Sequence, residues 1–447
     1  METETVKSIQ RTKSTLNPPQ MLIIGFVCLI IVGTLLLKLP ISTTSPISWL
    51  TALFTATSAT TVTGLIVVDT PTAFTMFGKI VILTLIQVGG LGIMTFAILI
   101  FLVMGKKISI KQRLLVQNAL NQNTLGGIIK LAKNLLIFSL LIELVVAFLL
   151  ALYWGPKIGW QKGIFFSIFH TVSAFNNAGF SLWSDNLSRW VGDPIVNLLI
   201  TFLIIIGGLG FTVLVNLWTA RHVRELTLHT KFMLVGTLAL NVFGFLMVLS
   251  LEFNNPGTIG HLPLGQKLWA SYFQGVIPRT AGFNTVPIGH LRDATLFILI
   301  LLMFIGAGST STGGGIKVTT FIALLLTIVK ILKGEQDAVA FGRTIKDSIF
   351  IRAFALVVAS LTSIFTAIFI LTLTEKASFL SIAFEVVSAF GTVGLSTGLT
   401  PHLSVIGKLV IISMMFIGKL GPLTLVFSVG APEIRNIRYP EGRLFIG

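Results

Sequence analysis

Apolar runs almost free of charge dominate this chain, and they come in two lengths. Runs at 80–104, 194–220, 294–316 and 353–374 reach the roughly 20 residues that a helix needs to cross a bilayer, and they predict membrane spans. Runs at 47–59, 163–174, 268–277 and 379–390 are about half that length and predict half-helices that enter the membrane and turn back.

Each short run leads into one nine-residue pattern: TSATTVTGL from Thr57, VSAFNNAGF from Val172, GVIPRTAGF from Gly275 and VSAFGTVGL from Val387. Their eighth residues are Gly64, Gly179, Gly282 and Gly394, spaced 115, 103 and 112 residues apart. Behind each copy a further apolar segment carries a small-residue break: VGGLG at Val88, IGGLG at Ile206, IGAGS at Ile305 and IGKLG at Ile417. One such glycine means no more than close helix packing, but four in-phase copies define a repeat.

The predicted fold is therefore an all-α integral membrane protein. Four pseudo-repeats of helix, re-entrant pore half-helix with filter loop, and helix would give eight full spans and four pore loops around one central ion path. The expected organisation is a tail at 1–18, pore units at 19–106, 107–221, 222–333 (with a broken second helix) and 334–430, and a tail at 431–447.

Composition agrees: 54% of residues are hydrophobic and 11% charged, and the mean hydropathy of +0.93 suits lipid as solvent. The net charge of +16 would suit nucleic acid only if it covered a soluble face. Instead Lys and Arg gather in alternate loops, at Lys106–Arg113 with Lys130 and Lys133, at Arg221–Lys231, and at Lys330–Arg352. The positive-inside rule places these loops in the cytoplasm, and Lys7, Arg11, Lys13, Arg435, Arg438 and Arg443 put both termini there too. Trp49, Trp154, Trp160, Trp183, Trp190 and Trp269 fall in the opposite loops, as anchors at the outer water–lipid boundary would. The N-terminal stretch has no apolar run or small-residue cleavage site before the first span, so no cleaved signal is expected. The single cysteine, Cys28, precludes an intrachain disulfide and fits a lipid-facing or packing position.

Backbone that is not helical at membrane depth leaves carbonyls without partners, which is tolerated where the loop is buried or lines a watery cavity. A ring of such carbonyls replaces a cation's hydration shell, and glycine supplies the backbone freedom. The half-helices would point their partly negative C-terminal ends at the same place. The candidate filter residues are Val62, Thr63 and Gly64; Asn177, Ala178 and Gly179; Thr280, Ala281 and Gly282; and Thr392, Val393 and Gly394, acting through carbonyls rather than side chains. On residues alone this predicts a pathway for a small monovalent cation.

With these loops the chain resembles the membrane subunit of bacterial Ktr systems in the Ktr/Trk/HKT potassium transporter superfamily, from Pro18 to the end. The resemblance implies one filter glycine per unit around a single path, and all four places hold glycine; relatives with serine in the first place tend to favour sodium. It implies potassium as the transported ligand, by channel or symport, with no cofactor in this chain and sodium as a candidate activator. It also implies a homodimer in the bacterial plasma membrane, set on a cytosolic ring of nucleotide-binding subunits that would carry any ATP or ADP response. The segment after Ile434 is too polar to span and would pack at the dimer contact.

GAGSTSTGGG at 306–315 has low helix preference and should unwind its span. In the family this segment is an intramembrane gating loop, which here would comprise Gly306, Gly308, Ser309, Thr310, Ser311, Thr312, Gly313, Gly314 and Gly315, tethered by Lys317. Lys419, in the fourth break, is an intramembrane cation where relatives often carry arginine, and it is expected to act as an electrostatic barrier. Arg279 is expected to donate to carbonyls of the third loop, with Glu385 as a candidate partner, while Glu143 is left outside the site.

No GxxxxGK[ST], HExxH or GxSxG motif occurs, which argues against an enzyme. A secondary transporter for sodium or a small solute is the competing reading, but such proteins commonly use inverted two-fold repeats, whereas these four copies share one direction.

Overall fold

The computed structural model describes residues 18–92, 128–422 and 424. The charged termini, the loop around Lys106, residues 93–104 of one expected span and the segment after Ile434 lie outside the described residues.

The chain runs through four similar sets of helices. Unit one has α1 (Pro18–Lys38), α2 (Trp49–Thr60), the short α3 (Thr70–Ala73) and α4 (Met76–Leu91). Unit two has α5 (Ile128–Ile158), α6 (Trp160–Phe175), α7 (Pro194–Leu209) and α8 (Phe211–Thr219). Unit three has α9 (Leu228–Glu252), α10 (Leu264–Val276), α11 (Asp293–Phe304) and α12 (Val318–Lys333), and unit four has α13 (Asp347–Thr374), α14 (Phe379–Gly391) and α15 (Val405–Leu420). A two-stranded hairpin, Ala338–Ala340 with Arg343–Ile345, joins units three and four.

The first helix of each unit is long, apolar and largely uncovered by protein. Leu144, Leu238, Phe369 and Leu373 are exposed on α5, α9 and α13, as is Cys28 on α1. Apolar side chains facing outward are what hydrocarbon rather than water selects. Among the described residues these four helices are long and apolar enough to span, and α7 with α8 makes a fifth if that bent pair counts as one.

The second helices are interrupted at the small-residue motifs. α4, α7 and α15 all stop at the glycine that closes the break motif, Gly92, Gly210 and Gly421, with φ of 85°, 95° and 83°. That backbone is strained for a residue with a side chain. At Gly210 the chain turns by 95° into α8, so 194–220 is two helices. In unit three the helix ends at Phe304 and resumes at Val318, an interruption at the segment 306–315 expected to unwind.

The half-helices occupy the centre, with their C-terminal halves buried. Ser48 and Ser378 cap two of them by accepting backbone N–H bonds from Thr51 and Ser381, each worth about 1 kcal/mol. Each unit's second helix packs on its neighbour's half-helix: α4 on α6, α7 on α10, α11 on α14, and α15 back on α2. That last contact closes the four units into a ring.

The tryptophans divide. Trp49 and Trp160 are exposed, as interfacial anchors would be, but Trp154 and Trp183 are buried and meet edge to face at 4.8 Å, with His170 at 4.4 Å from Trp183. Packing claims them, not the lipid boundary.

Candidate functional site

The four repeat loops share one backbone shape. The first residue of each triplet is left-handed, with φ of 53° at Val62, 56° at Asn177, 68° at Thr280 and 50° at Thr392. So is each glycine, at 90° for Gly64, 69° for Gly179, 70° for Gly282 and 89° for Gly394. Left-handed backbone at a β-branched residue such as Val62 costs of order 1–3 kcal/mol and persists only where surroundings enforce it. The half-helix ends enforce it here. The amides of Thr63, Ala178 and Val393 donate to the carbonyls of Ser58, Ser173 and Ser388 at 2.7–2.8 Å, and Ala281 donates to Ile277 at 3.1 Å.

Turning the amides inward leaves the carbonyls over. Among the described residues, none of the twelve triplet carbonyls accepts a hydrogen bond, although all twelve residues are buried. They form a closed set. A Cβ placed on Gly64 would meet the carbonyl oxygen of Ala178, one on Gly179 that of Ala281, one on Gly282 that of Val393, and one on Gly394 that of Thr63. Each glycine therefore abuts the carbonyl just before the next unit's glycine, and the fourth abuts the first. Any side chain at these four places collides with the ring.

On one side of the ring lies a cavity of ≈ 580 Å³ lined by all four glycines. On the other side lies the segment 305–317, which leaves α11, loops round and comes back beside its own start in a parallel bridge between Ile305 and Ile316. It wedges between units two and four, because the amide of Gly308 donates to Gly208 at 2.8 Å and that of Gly315 to Gly418 at 3.3 Å.

Side chains of the loops hold this segment. Thr392 Oγ1 accepts from the Gly314 amide at 2.8 Å, and Thr312 Oγ1 donates to Asn177 Oδ1 at 3.3 Å. Asn177 Nδ2 in turn donates to Thr280 Oγ1 at 3.1 Å. Two lysines add to it: Lys419 Nζ donates to the Thr312 carbonyl at 2.5 Å and Lys317 Nζ to the Gly313 carbonyl at 2.6 Å. Lys419 stands where the other breaks have Gly90, Gly208 and Ala307, so only unit four extends a long side chain there. Of the segment's hydroxyl residues, Thr312 is buried, while Ser309, Thr310 and Ser311 are half-buried; Thr310 Oγ1 pairs with Thr212 Oγ1 at 3.1 Å.

Two expectations change. Arg279 does not meet Glu385; it donates to the Thr237 carbonyl, Thr237 Oγ1 and Asn241 Oδ1 on α9 at 3.1–3.3 Å. Glu385 instead gathers its own loop, accepting from Ser396, Thr400 and the Thr397 amide. Glu143, set aside from the sequence, accepts from Gln87 Nε2 at 2.9 Å and from Asn176 Nδ2 at 3.4 Å, linking α4 and α5 to the residue just before the second triplet. The sequence signal for it was Asn176 itself, a second asparagine beside Asn177.

The sequence model of the TrkH family, described as cation transport protein, matches residues 7–439. The chain is 58% identical to Ktr system potassium uptake protein B of Bacillus subtilis, over 96% of this chain and 97% of that one. It is 42% identical to potassium/sodium uptake protein NtpJ of Enterococcus hirae, over 98% and 99%. The crystal structure of the potassium transporter TrkH from Vibrio parahaemolyticus superposes with a TM-score of 0.74 at 20% identity, covering 94% of this chain and 86% of that one.

Proposed function

The chain belongs to the TrkH family of cation transport proteins, multi-pass membrane proteins and not enzymes, and on that premise we propose that it takes up potassium through the ring of triplet carbonyls. The observation that carries this is the closed set of buried carbonyls without hydrogen-bond partners. Such oxygens are costly unless something coordinates them, and a dehydrated monovalent cation is what a carbonyl ring accommodates. The converging C-terminal ends of the half-helices favour positive charge by up to about 2 kcal/mol each in partly buried geometry. The Bacillus relative is a potassium uptake protein and the Enterococcus one a potassium/sodium uptake protein, which supports potassium as the ion and makes sodium the cation to test against it.

In this reading Val62–Gly64, Asn177–Gly179, Thr280–Gly282 and Thr392–Gly394 are the filter, and the cavity is the outer vestibule. The segment 306–315 is a gate on the cytoplasmic side, tethered by Lys317 and Lys419. Four pore units with the boundaries given above, a bacterial plasma membrane location with both termini inside, a homodimer and a cytosolic nucleotide-binding ring complete the proposal.

The test is rubidium and potassium uptake in cells lacking their own potassium uptake, with the chain alone, with a Ktr-type regulatory partner, and with Gly64→Ser. Left-handed φ and the Ala178 carbonyl both oppose a side chain at Gly64. Discrimination against sodium should therefore fall about tenfold, equivalent to about 1.4 kcal/mol. Unchanged sodium exclusion in a well-inserted Gly64→Ser protein counts against the filter; no uptake under any condition counts against potassium.

A further inference from the structure

The vestibule above the ring is lined by two charged residues, Asp69 of unit one and Asp185 of unit two, and they are not equivalent. Arg189 grips Asp185 with Nε at 3.1 and 3.0 Å from its two oxygens and a terminal nitrogen at 2.7 Å, which cancels its charge locally. Asp69 receives only neutral donors: Ser184 Oγ at 2.7 Å and Thr72 Oγ1 at 2.9 Å, both on Oδ2. Among the described residues no basic group pairs with it. Lys79, on the same unit, lies within electrostatic range of Asp69 but makes no ion pair with it, turning its Nζ to the Pro71 carbonyl at 2.7 Å.

Asp69 is also freed from the local task its position offers. It is the N-cap residue of α3, yet its side chain makes no capping bond. Ser184, from the next unit's loop, holds the carboxylate over the cavity, leaving Oδ1 without a hydrogen bond among the described residues. A carboxylate without an ion pair at the wall of a concave mouth focuses field into it and raises the local cation concentration.

We propose that Asp69 forms a cation-gathering subsite in the vestibule, one step ahead of the carbonyl ring, and so sets the apparent affinity of uptake without setting selectivity. This rests on the carbonyl ring being the cation path. Asp185 is held in reserve by Arg189 and contributes little while that pair is closed.

The experiment is rubidium uptake by the full chain and its variants, at two ionic strengths adjusted with the impermeant N-methylglucamine chloride. Asp69→Asn should raise KM about three- to fivefold at low ionic strength, with little change in maximal rate, and the difference should shrink near 0.15 M, where the screening length is about 8 Å. Ser184→Ala, which keeps the charge, should stay close to the parent. Arg189→Gln, which releases the second carboxylate, should lower KM. A parental KM in Asp69→Asn, or a rise that ignores ionic strength, overturns the subsite. If Gly64→Ser still alters selectivity in that case, the filter reading survives; absence of uptake by the parent chain overturns both.

Discussion

Units one and four hold their loops from within, whereas unit three holds its loop from outside. In units one and four a half-helix serine, Ser58 or Ser388, accepts the amide of Gly64 or Gly394 at 3.1 Å. Unit three has Val276 at the serine's place and Pro278 two residues on, so neither a hydroxyl nor the proline amide is there to brace the turn. Arg279 replaces them by reaching across to α9. The second helices diverge with the loops. The first break glycine sits against the half-helix carbonyl of Thr60, Phe175 or Phe390 in units one, two and four, but Gly306 faces Gly314 of its own segment. A loop braced by its own half-helix is indifferent to its surroundings, while one braced by a neighbouring helix moves with it. Unit three thus supplies the segment beneath the ring and a loop tied to a neighbouring helix, while the triplets of units two and four, through Asn177 and Thr392, hydrogen-bond the ring to that segment.

The most severe way to break this contrast is Arg279→Met. Bonds from a charged donor are worth about 1.5–3 kcal/mol each, against about 1 kcal/mol for a neutral bond. The variant should therefore lose most uptake and melt well below Ser388→Ala when both are followed by thermal unfolding in detergent. Arg279→Lys should recover only part of the loss, because an ammonium lacks the planar fork that spans Thr237 and Asn241. Equal melting of Arg279→Met and Ser388→Ala would erase the distinction between the two ways of bracing.

Next in size are the lysines. Lys419 and Lys317 donate to consecutive carbonyls, Thr312 and Gly313. Replacing either with Met removes one charge-assisted bond of about 1.5–3 kcal/mol and a positive charge from the proposed path. Rubidium flux through the chain without a regulatory partner should rise about tenfold for each. Lower flux in a protein that inserts and melts normally would mean that the lysines support the open path rather than the closed one.

The sequence disclosed the repeat and the loop positions because glycine, the half-length runs and their spacing are local signals. It did not disclose what each polar side chain touches. Arg279 and Glu385 look complementary along the chain, yet three hydroxyl-bearing residues stand close after Glu385 in sequence and satisfy it first, leaving the arginine to α9. Gly210 resembles Gly92 and Gly421 in its motif, and only the described structure after it shows the 95° turn into α8. The buried Trp154 and Trp183 share their composition signal with true interfacial anchors, so long-range packing decides between the roles.

The smallest effect tests the coupling most cleanly. Thr392 and Val62 are equivalent positions with nearly equal φ, 50° and 53°, so unit one already demonstrates that valine fits this left-handed backbone within the fold. Thr392→Val therefore removes the acceptor for the Gly314 amide without new backbone strain and without touching a charge. One neutral hydrogen bond is worth about 1 kcal/mol, and flux without the partner should rise about fivefold, with discrimination against sodium unchanged because the Thr392 carbonyl stays in place. The reciprocal Val62→Thr, in a unit whose triplet makes no hydrogen bond to the segment among the described residues, should leave flux alone. A loss of selectivity in Thr392→Val would show that the hydroxyl shapes the ring itself, and equal responses from the two variants would show that the segment does not distinguish one unit from another.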